Sequence, residues 1–287
     1  MADLLPQSFR AGIPMFFLLA VLVADAIAGV GATPTLPDGF AALGEGRVAG
    51  VIDGDTVVLA DGRQVRLVGI MAPKLPLGRP GFEPWPWAPE AKAGLEALVL
   101  DQRVEMWGSA TTRDRHGRVL AHLVRARDGL WIQGAMVEQG LARVYSFVDN
   151  RAGVAALYRI EDEARRAGRG LWSHPDYTVV QARDAERAVR SFALVEGRVL
   201  KVTRVGSRTF LNYGADWRRD FTVKIGRRAA RLFTAESLDL TQFAGRLVRV
   251  RGWVRWENGP MVEVTHPEQI EILDARSGRG TVEAERQ

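Results

Sequence analysis

The sequence contains no cysteine, which rules out a disulfide framework, a thiolate zinc site and a cysteine nucleophile. That absence is compatible with export without arguing for it. Histidine is scarce too: His116, His122, His174 and His266 show no His-x-x-x-His or comparable spacing, so a histidine metal site is not expected. His116 lies in the loop beside Arg118 and reads either as a substrate contact or as a solvated turn residue. Long apolar runs are confined to Ala11 to Ala24, which follows Arg10 and precedes the small-residue site Ala26-Ile-Ala28, the layout of a secretory signal peptide. Asp25 interrupts that run, so a spanning helix of about 20 apolar residues would have to bury a carboxylate. The expectation for residues 1–33 is therefore a signal peptide or an uncleaved N-terminal anchor, with the remainder exported to the periplasm or the outside. No other segment is long enough to span a membrane.

What is present is an ordinary globular composition. The 287 residues are 47% apolar, enough for two modest domains with their own cores. The formal net charge is +5 and the sequence pI is about 9.9, which favours polyanionic partners, among them nucleic acid, anionic lipid and cell-wall polymer.

The most informative stretch is Val51-Ile-Asp-Gly-Asp-Thr-Val-Val-Leu59. It sets Asp53 and Asp55 at a tight Gly54 turn between apolar alternating runs, which suits a cation or phosphate site at a hairpin. Asp and Gly are also the residues any turn wants, so the motif alone decides nothing. Further on, Arg66 opens a strand that ends at Pro73, and Arg113-Asp-Arg-His-Gly-Arg118 precedes the apolar run Val119 to Val124. Then come Ile132 to Tyr145, containing Gly140-Leu-Ala-Arg-Val-Tyr145, and Gly170-Leu-Trp-Ser173.

This ordered set resembles the staphylococcal nuclease (thermonuclease) family over about Arg47 to Ser173. The resemblance implies an OB-type five-stranded Greek-key barrel packed against helices, and calcium-dependent cleavage of phosphodiesters in single-stranded DNA or RNA. Position by position it implies that Asp55, with Asp53 beside it, and the Ala72 carbonyl hold calcium. It likewise implies that Arg66 and Arg118 clamp phosphate as catalytic residues.

Two departures strike the chemistry. Where the family pattern has Asp-Thr-Pro-Glu this chain has Met71-Ala-Pro-Lys74, so Met71 replaces the second calcium carboxylate and Lys74 the general base. Calcium takes about six to eight oxygen ligands, and a thioether in place of a carboxylate predicts weak binding. A lysine at its usual pKa is protonated at neutral pH and cannot accept a proton from water. Losing a positioned base costs on the order of 10²- to 10⁴-fold. Lys74 reads either as a phosphate contact in place of bridging calcium or as an exposed loop lysine. Glu83 or Glu90, at the Pro- and Trp-rich segment Pro76 to Pro89, could restore a carboxylate.

The remaining pattern places helices at Glu90 to Leu100 and Arg151 to Ala167, the second punctuated by Gly168 and Gly170. Tyr145 and Phe147 are two apart, so both rings could face one side and stack on unpaired bases, or pack in the core. The predicted organisation is a linker at 34–44, the nuclease-like domain at 45–174, a charged linker at 175–191 and a second domain at 192–275. The residues 276–287 read as a disordered tail.

The second domain shows strands at Val195–Val202, Thr209–Asn212, Phe221–Ile225, Leu247–Val254 and Met261–Val264, with a helical insert at Thr234–Phe243. The fold class is thus mainly β with helices (α+β), the second unit reading as a small OB-like β-barrel that binds nucleic acid. From Phe192 to Ile272 there are 14 Arg and Lys against 9 Asp and Glu, an excess equal to that of the whole chain. Tyr213, Trp217, Arg218 and Arg219, in a Gly-containing loop, are the binding candidates, whereas Phe210 and Trp253 read as core.

Three functions fit the sequence. The first is an exported thermonuclease-like protein that binds single-stranded nucleic acid, with calcium-dependent hydrolysis weakened or rebuilt. The second is an inactive nuclease fold serving as a nucleic-acid or protein binding module. The third is an envelope scaffold for anionic polymer. No small-molecule cofactor is expected, and no oligomerisation element stands out.

Overall fold

The structure, a computed structural model, describes residues 35–274. The signal or anchor expected at 1–33 and the tail expected at 276–287 lie outside the described residues. Among the described residues no helix is long and apolar enough to cross a membrane.

The first unit is a closed barrel. Its strands are β1 (Ala41–Asp53), β2 (Thr56–Leu59), β3 (Gln64–Leu67), β5 (Arg103–Gly108) and β6 (Val119–Arg125), in the order β1-β2-β3-β6-β5. A short β4 (Gly69–Met71) leaves the barrel and pairs with β7 (Arg143–Tyr145). β1 is long enough to serve two partners: Ala41 to Arg47 pair with β5 and Val48 to Asp53 with β2. Part of the expected linker at 34–44 is therefore strand, held by backbone pairing to β5. Val48, Val57, Val65, Leu67, Val104 and Leu123 fill the interior.

Helix α1 (Ala88–Val99) carries Pro89 in its first turn and buries Ala88, Ala91, Leu95 and Val99, one stripe at helical spacing. Helix α2 (Ile132–Glu138) is almost wholly buried. Helix α3 (Val154–Arg166) turns Val154, Leu157, Tyr158, Glu161 and Ala164 inward and ends on Arg165 and Arg166, cations placed where the helix dipole favours them.

The second unit is a curled sheet. Its strands are β8 (Val180–Gln181), β9 (Phe192–Arg198), β10 (Lys201–Val205), β11 (Arg208–Asn212), β12 (Thr222–Ile225), β13 (Leu247–Trp256), β14 (Pro260–Val264) and β15 (Ile270–Ile272). They run in the order β10-β11-β12-β14-β13-β9-β8, with β15 on β13. The expected strand Val195–Val202 is split at Val199–Leu200 into β9, which pairs with β13, and β10, which pairs with β11. The helical insert also starts earlier than expected, as α4 (Arg227–Ala235). The segment 175–191 is no free linker. β8 pairs in parallel with β9, and Val180, Ala185 and Ala188 belong to the second core.

The two units meet through a third apolar cluster, in which Met71, Ala164, Leu171, Trp172 and Tyr177 pack with Phe192 and Leu194. Beside it lies a buried ion network. Arg251, 2% exposed, reaches Glu161 and Glu271 at 2.9 Å each, and its guanidinium lies 4.0 Å over the Tyr158 ring. Arg249 pairs with Glu196 at 2.6 Å and Asp162 at 3.0 Å. Removing one partner of such a pair strands a buried charge, at about 3–5 kcal/mol.

Candidate functional site

The β1–β2 hairpin pairs Asp53 with Thr56, which leaves Gly54 and Asp55 as its turn. Gly54 is required by space: a Cβ there would lie 2.6 Å from the Ala72 Cβ and 2.8 Å from the Ala91 Cβ. Helix α1 and the Ala72 segment can therefore close over the turn, and Asp55 becomes fully buried.

Three donors converge on one oxygen. Asp55 Oδ2 accepts from the Ala72 amide at 2.9 Å and from Lys74 Nζ at 2.6 Å, and lies 3.2 Å from Arg66 Nη2. Lys74 Nζ also stands 3.6 Å from Asp53 Oδ2, and Asp53 Oδ1 accepts from the Asp55 amide at 3.1 Å. Arg66 donates further to the Ile70 carbonyl at 2.9 Å and to that of Leu67. Two carboxylates and two cations thus neutralise one another.

The two aspartates are driven apart in acidity. Burial pushes Asp55 up, but the Arg66 and Lys74 charges together with the Ala72 amide hold it below the usual carboxylate range. Burial and the neighbouring Asp55 raise Asp53, with Lys74 and Arg66 only partly offsetting them.

These residues do not fit a calcium ion. Calcium needs a shell of oxygens, whereas the inner oxygen of Asp55 is saturated by an ammonium, a guanidinium and an amide. Met71, 4% exposed, lies in the interdomain apolar cluster, and its thioether offers calcium no hard oxygen. Among the described residues no three His, Asp or Glu side chains are grouped to hold a metal. Glu83 and Glu90 are exposed, and neither pairs with Lys74 or Arg66.

Arg66 on β3 and Arg118, the last loop residue before the parallel neighbour β6, are brought near each other because Val65 pairs with Val119, but their side chains part company. Arg66 turns in to Asp55, while Arg118, 31% exposed in its side chain, pairs with Asp114 at 2.7 Å. His116 is exposed in the same turn and accepts from Arg115 at 3.1 Å.

Tyr145 and Phe147 do share a side, with ring centres 4.8 Å apart, and Phe147 is 47% exposed. Tyr145 also packs edge-on against Phe192 at 5.1 Å. This row continues through Trp253 and Trp85, the Phe192–Trp253 and Trp85–Trp253 distances being 6.3 and 6.4 Å. Trp253, expected in the core, is 39% exposed. Val248, Val250 and Val254 take the inner face of β13, so alternation puts Trp253 outside with Arg249 and Arg251.

In the second unit the outward residues of β10 and β11 line a groove of about 870 Å³, walled by Lys201, Val205, Arg208, Phe210, Trp217 and Asn258. Phe210, also expected in the core, is half-buried at this groove. Trp217 is 49% exposed, the Arg218 guanidinium lies 4.8 Å over its ring, and Arg219 is exposed beside them. Tyr213 instead turns inward onto Phe221 at 5.0 Å. Its hydroxyl is buried without a hydrogen-bond partner among the described residues, and burial pushes its pKa up.

Comparison with known proteins bears on the first unit. Residues 64–174 match the model of a family described as "Staphylococcal nuclease homologue". An "Uncharacterized endonuclease" of Escherichia coli is 36% identical over 136 residues, 46% of this chain and 78% of that protein. The "Micrococcal nuclease" of Shigella flexneri is 30% identical over 141 residues, 46% and 75% of the two chains. The "Thermonuclease" of Staphylococcus hyicus is 25% identical over 131 residues, 45% and 75%.

Proposed function

Because the chain belongs to the staphylococcal nuclease family, with the thermonuclease-like, nucleic-acid-related function that membership carries, we propose that it recognises nucleic acid with Lys74 as its resident cation. Calcium-driven hydrolysis is then weak or absent. The observation that carries this reading is the Lys74 ammonium, 2.6 Å from Asp55 and 3.6 Å from Asp53. An ammonium so held neutralises the carboxylates a metal would need and cannot serve as a base. Arg66 acts by fixing Asp55, and Arg118 is the phosphate contact of the first barrel.

The second unit supplies the larger surface. Its groove combines Lys201 and Arg208 with the Phe210 and Trp217 rings, the pairing of cations and aromatic faces that suits single strands with unstacked bases. The apolar run Ala11 to Ala24, outside the described residues, supports export.

The test incubates end-labelled single-stranded DNA and RNA with the protein in calcium, magnesium, manganese or chelator. The expected result is retention without cleavage, unchanged by chelator. Metal-dependent cleavage that disappears in Asp55→Asn would overturn the reading and return the chain to the hydrolases.

A further inference from the structure

Between the two units lies a cleft of about 400 Å³ whose lining includes Trp85, Arg143, Asp176, Tyr177, Arg187 and Phe192. Arg143 is 5% exposed. Its Nη1 donates to the Phe192 carbonyl at 3.0 Å, and its guanidinium lies 4.9 Å from both the Tyr177 and Phe192 ring centres. Among the described residues no carboxylate stands within ion-pair distance of it. This sets it apart from its neighbours: Arg249 and Arg251 each have two or more acidic partners. Glu161 attracts Arg143 from beyond pairing distance but is committed to Arg251 and the Val144 amide, and a buried charge with no direct partner is costly.

The other donors of the cleft are already used. The Tyr177 hydroxyl donates to the Pro86 carbonyl at 2.6 Å, Thr178 to Pro175 at 2.8 Å and Ser191 to Ala188 at 2.7 Å. What remains is the guanidinium of Arg143 and, exposed at the rim, that of Arg187. Asp176 also lies at the rim, within 3.9 Å of His174, and its side chain is largely in solvent.

We propose that this cleft is an anion site sized for a mononucleotide, with Arg143 holding a phosphate, Arg187 adding a second charge and Trp85, Tyr177 and Phe192 bounding the space for a base. A guanidinium fork matches phosphate oxygens bidentately, aromatic faces accept any base, and the volume falls in the range of small-ligand pockets. The choice of a nucleotide rests on the nucleic-acid reading above; the anion site does not, since none of its residues belongs to the Asp55 cluster.

The test titrates the full chain with inorganic phosphate and, separately, with thymidine 5′-monophosphate, by calorimetry and by thermal unfolding. Both probes bind at millimolar concentration or better, the nucleotide more tightly. Arg187→Ala weakens both by about tenfold, one lost charge-assisted contact, and leaves the ligand-free unfolding midpoint unchanged. Arg143→Lys keeps weakened phosphate binding and Arg143→Met abolishes it. Phosphate binding without a gain for the nucleotide overturns the nucleotide assignment and keeps the anion site. If neither probe binds the parent, or Arg187→Ala binds both as tightly as the parent, Arg143 is only a structural tie between β7 and β9 and the proposal falls. Should Arg143→Met fail to fold, the parent and Arg187→Ala decide the matter.

Discussion

In the first barrel the turn between the first two strands is Gly54–Asp55, buried and acidic; in the second unit the corresponding turn, between β10 and β11, is Gly206–Ser207, exposed and flanked by Arg204 and Arg208. The connections around the two turns match. Leaving out β4 and β8, and counting β9 and β10 as one interrupted strand, in each unit the third strand runs parallel to the fifth (β3 with β6, β12 with β14), and the fifth pairs antiparallel with the fourth. In each the fourth pairs antiparallel with the first, and a helix stands between the third and fourth, α1 in one and α4 in the other. One strand plan therefore carries two opposite corners, one acidic and closed by its own lysine, the other basic and open. Function follows the side chains at the corner, not the plan.

The sharpest way to break this comparison is to reopen the acidic corner. Lys74→Glu removes the ammonium from two partly or fully buried aspartates and adds a third negative charge. In chelator it is expected to lose about 3–5 kcal/mol of stability in denaturant unfolding. Calcium should then raise its unfolding midpoint, through binding to the folded state alone, while leaving the parent unmoved. A variant as stable as the parent in chelator would mean that Lys74 is a bystander.

The two turns also differ in what their glycines do. Gly54 is outside the positive-φ region but has no room, with two Cβ atoms inside 3 Å, so Gly54→Ala must push α1 away at about 2–3 kcal/mol. Gly206 has φ +58° and nothing within 4 Å of an added Cβ, so Gly206→Ala costs only its backbone conformation, about 1 kcal/mol. Equal losses would show that the acidic turn is not packed as described.

The turn motif and the positions of Arg66 and Lys74 were legible in the sequence because they are local, but the pairing of Lys74 with Asp55 was not: Lys74 read as a phosphate contact or an exposed loop lysine, and only the fold brings it within 2.6 Å of Asp55. What Met71 does was not legible, because its reason lies in Phe192 and Leu194 of the other unit. Arg143 gave no signal either: a single arginine on a short strand is ordinary, and only the packing of Tyr177 and Phe192 around it makes it exceptional. Tyr213 was misread because a glycine beside it suggested an exposed loop, whereas its ring closes the second core. For Trp253 the signal was present, since its alternation with Val250 and Val254 places it outside.

Acid should unsettle the first barrel through His122. This ring is 2% exposed, accepts from the Trp131 indole at 3.1 Å and has its pKa pulled down by burial to about 3. A histidine depressed in the folded state gives its full stability above the unfolded value of about 6.5 and loses it as pH falls toward the folded value. Between pH 7 and pH 5 that amounts to about 2 kcal/mol. His122→Gln should be less stable at pH 7 yet flatten that part of the stability–pH curve, and an unchanged slope would assign the acid sensitivity elsewhere.

The smallest expected effect tests the open corner. Trp217 is exposed and capped by Arg218, so Trp217→Ala should leave unfolding unchanged while weakening single-stranded DNA binding by about 1–2 kcal/mol, one base's stacking. Arg118→Ala, which removes a single phosphate contact from the closed unit, should cost less than that and lower the salt dependence of binding. If Arg118→Ala were the more damaging, the closed barrel would be the principal nucleic-acid surface, and the basic groove of the second unit would serve some other polyanion.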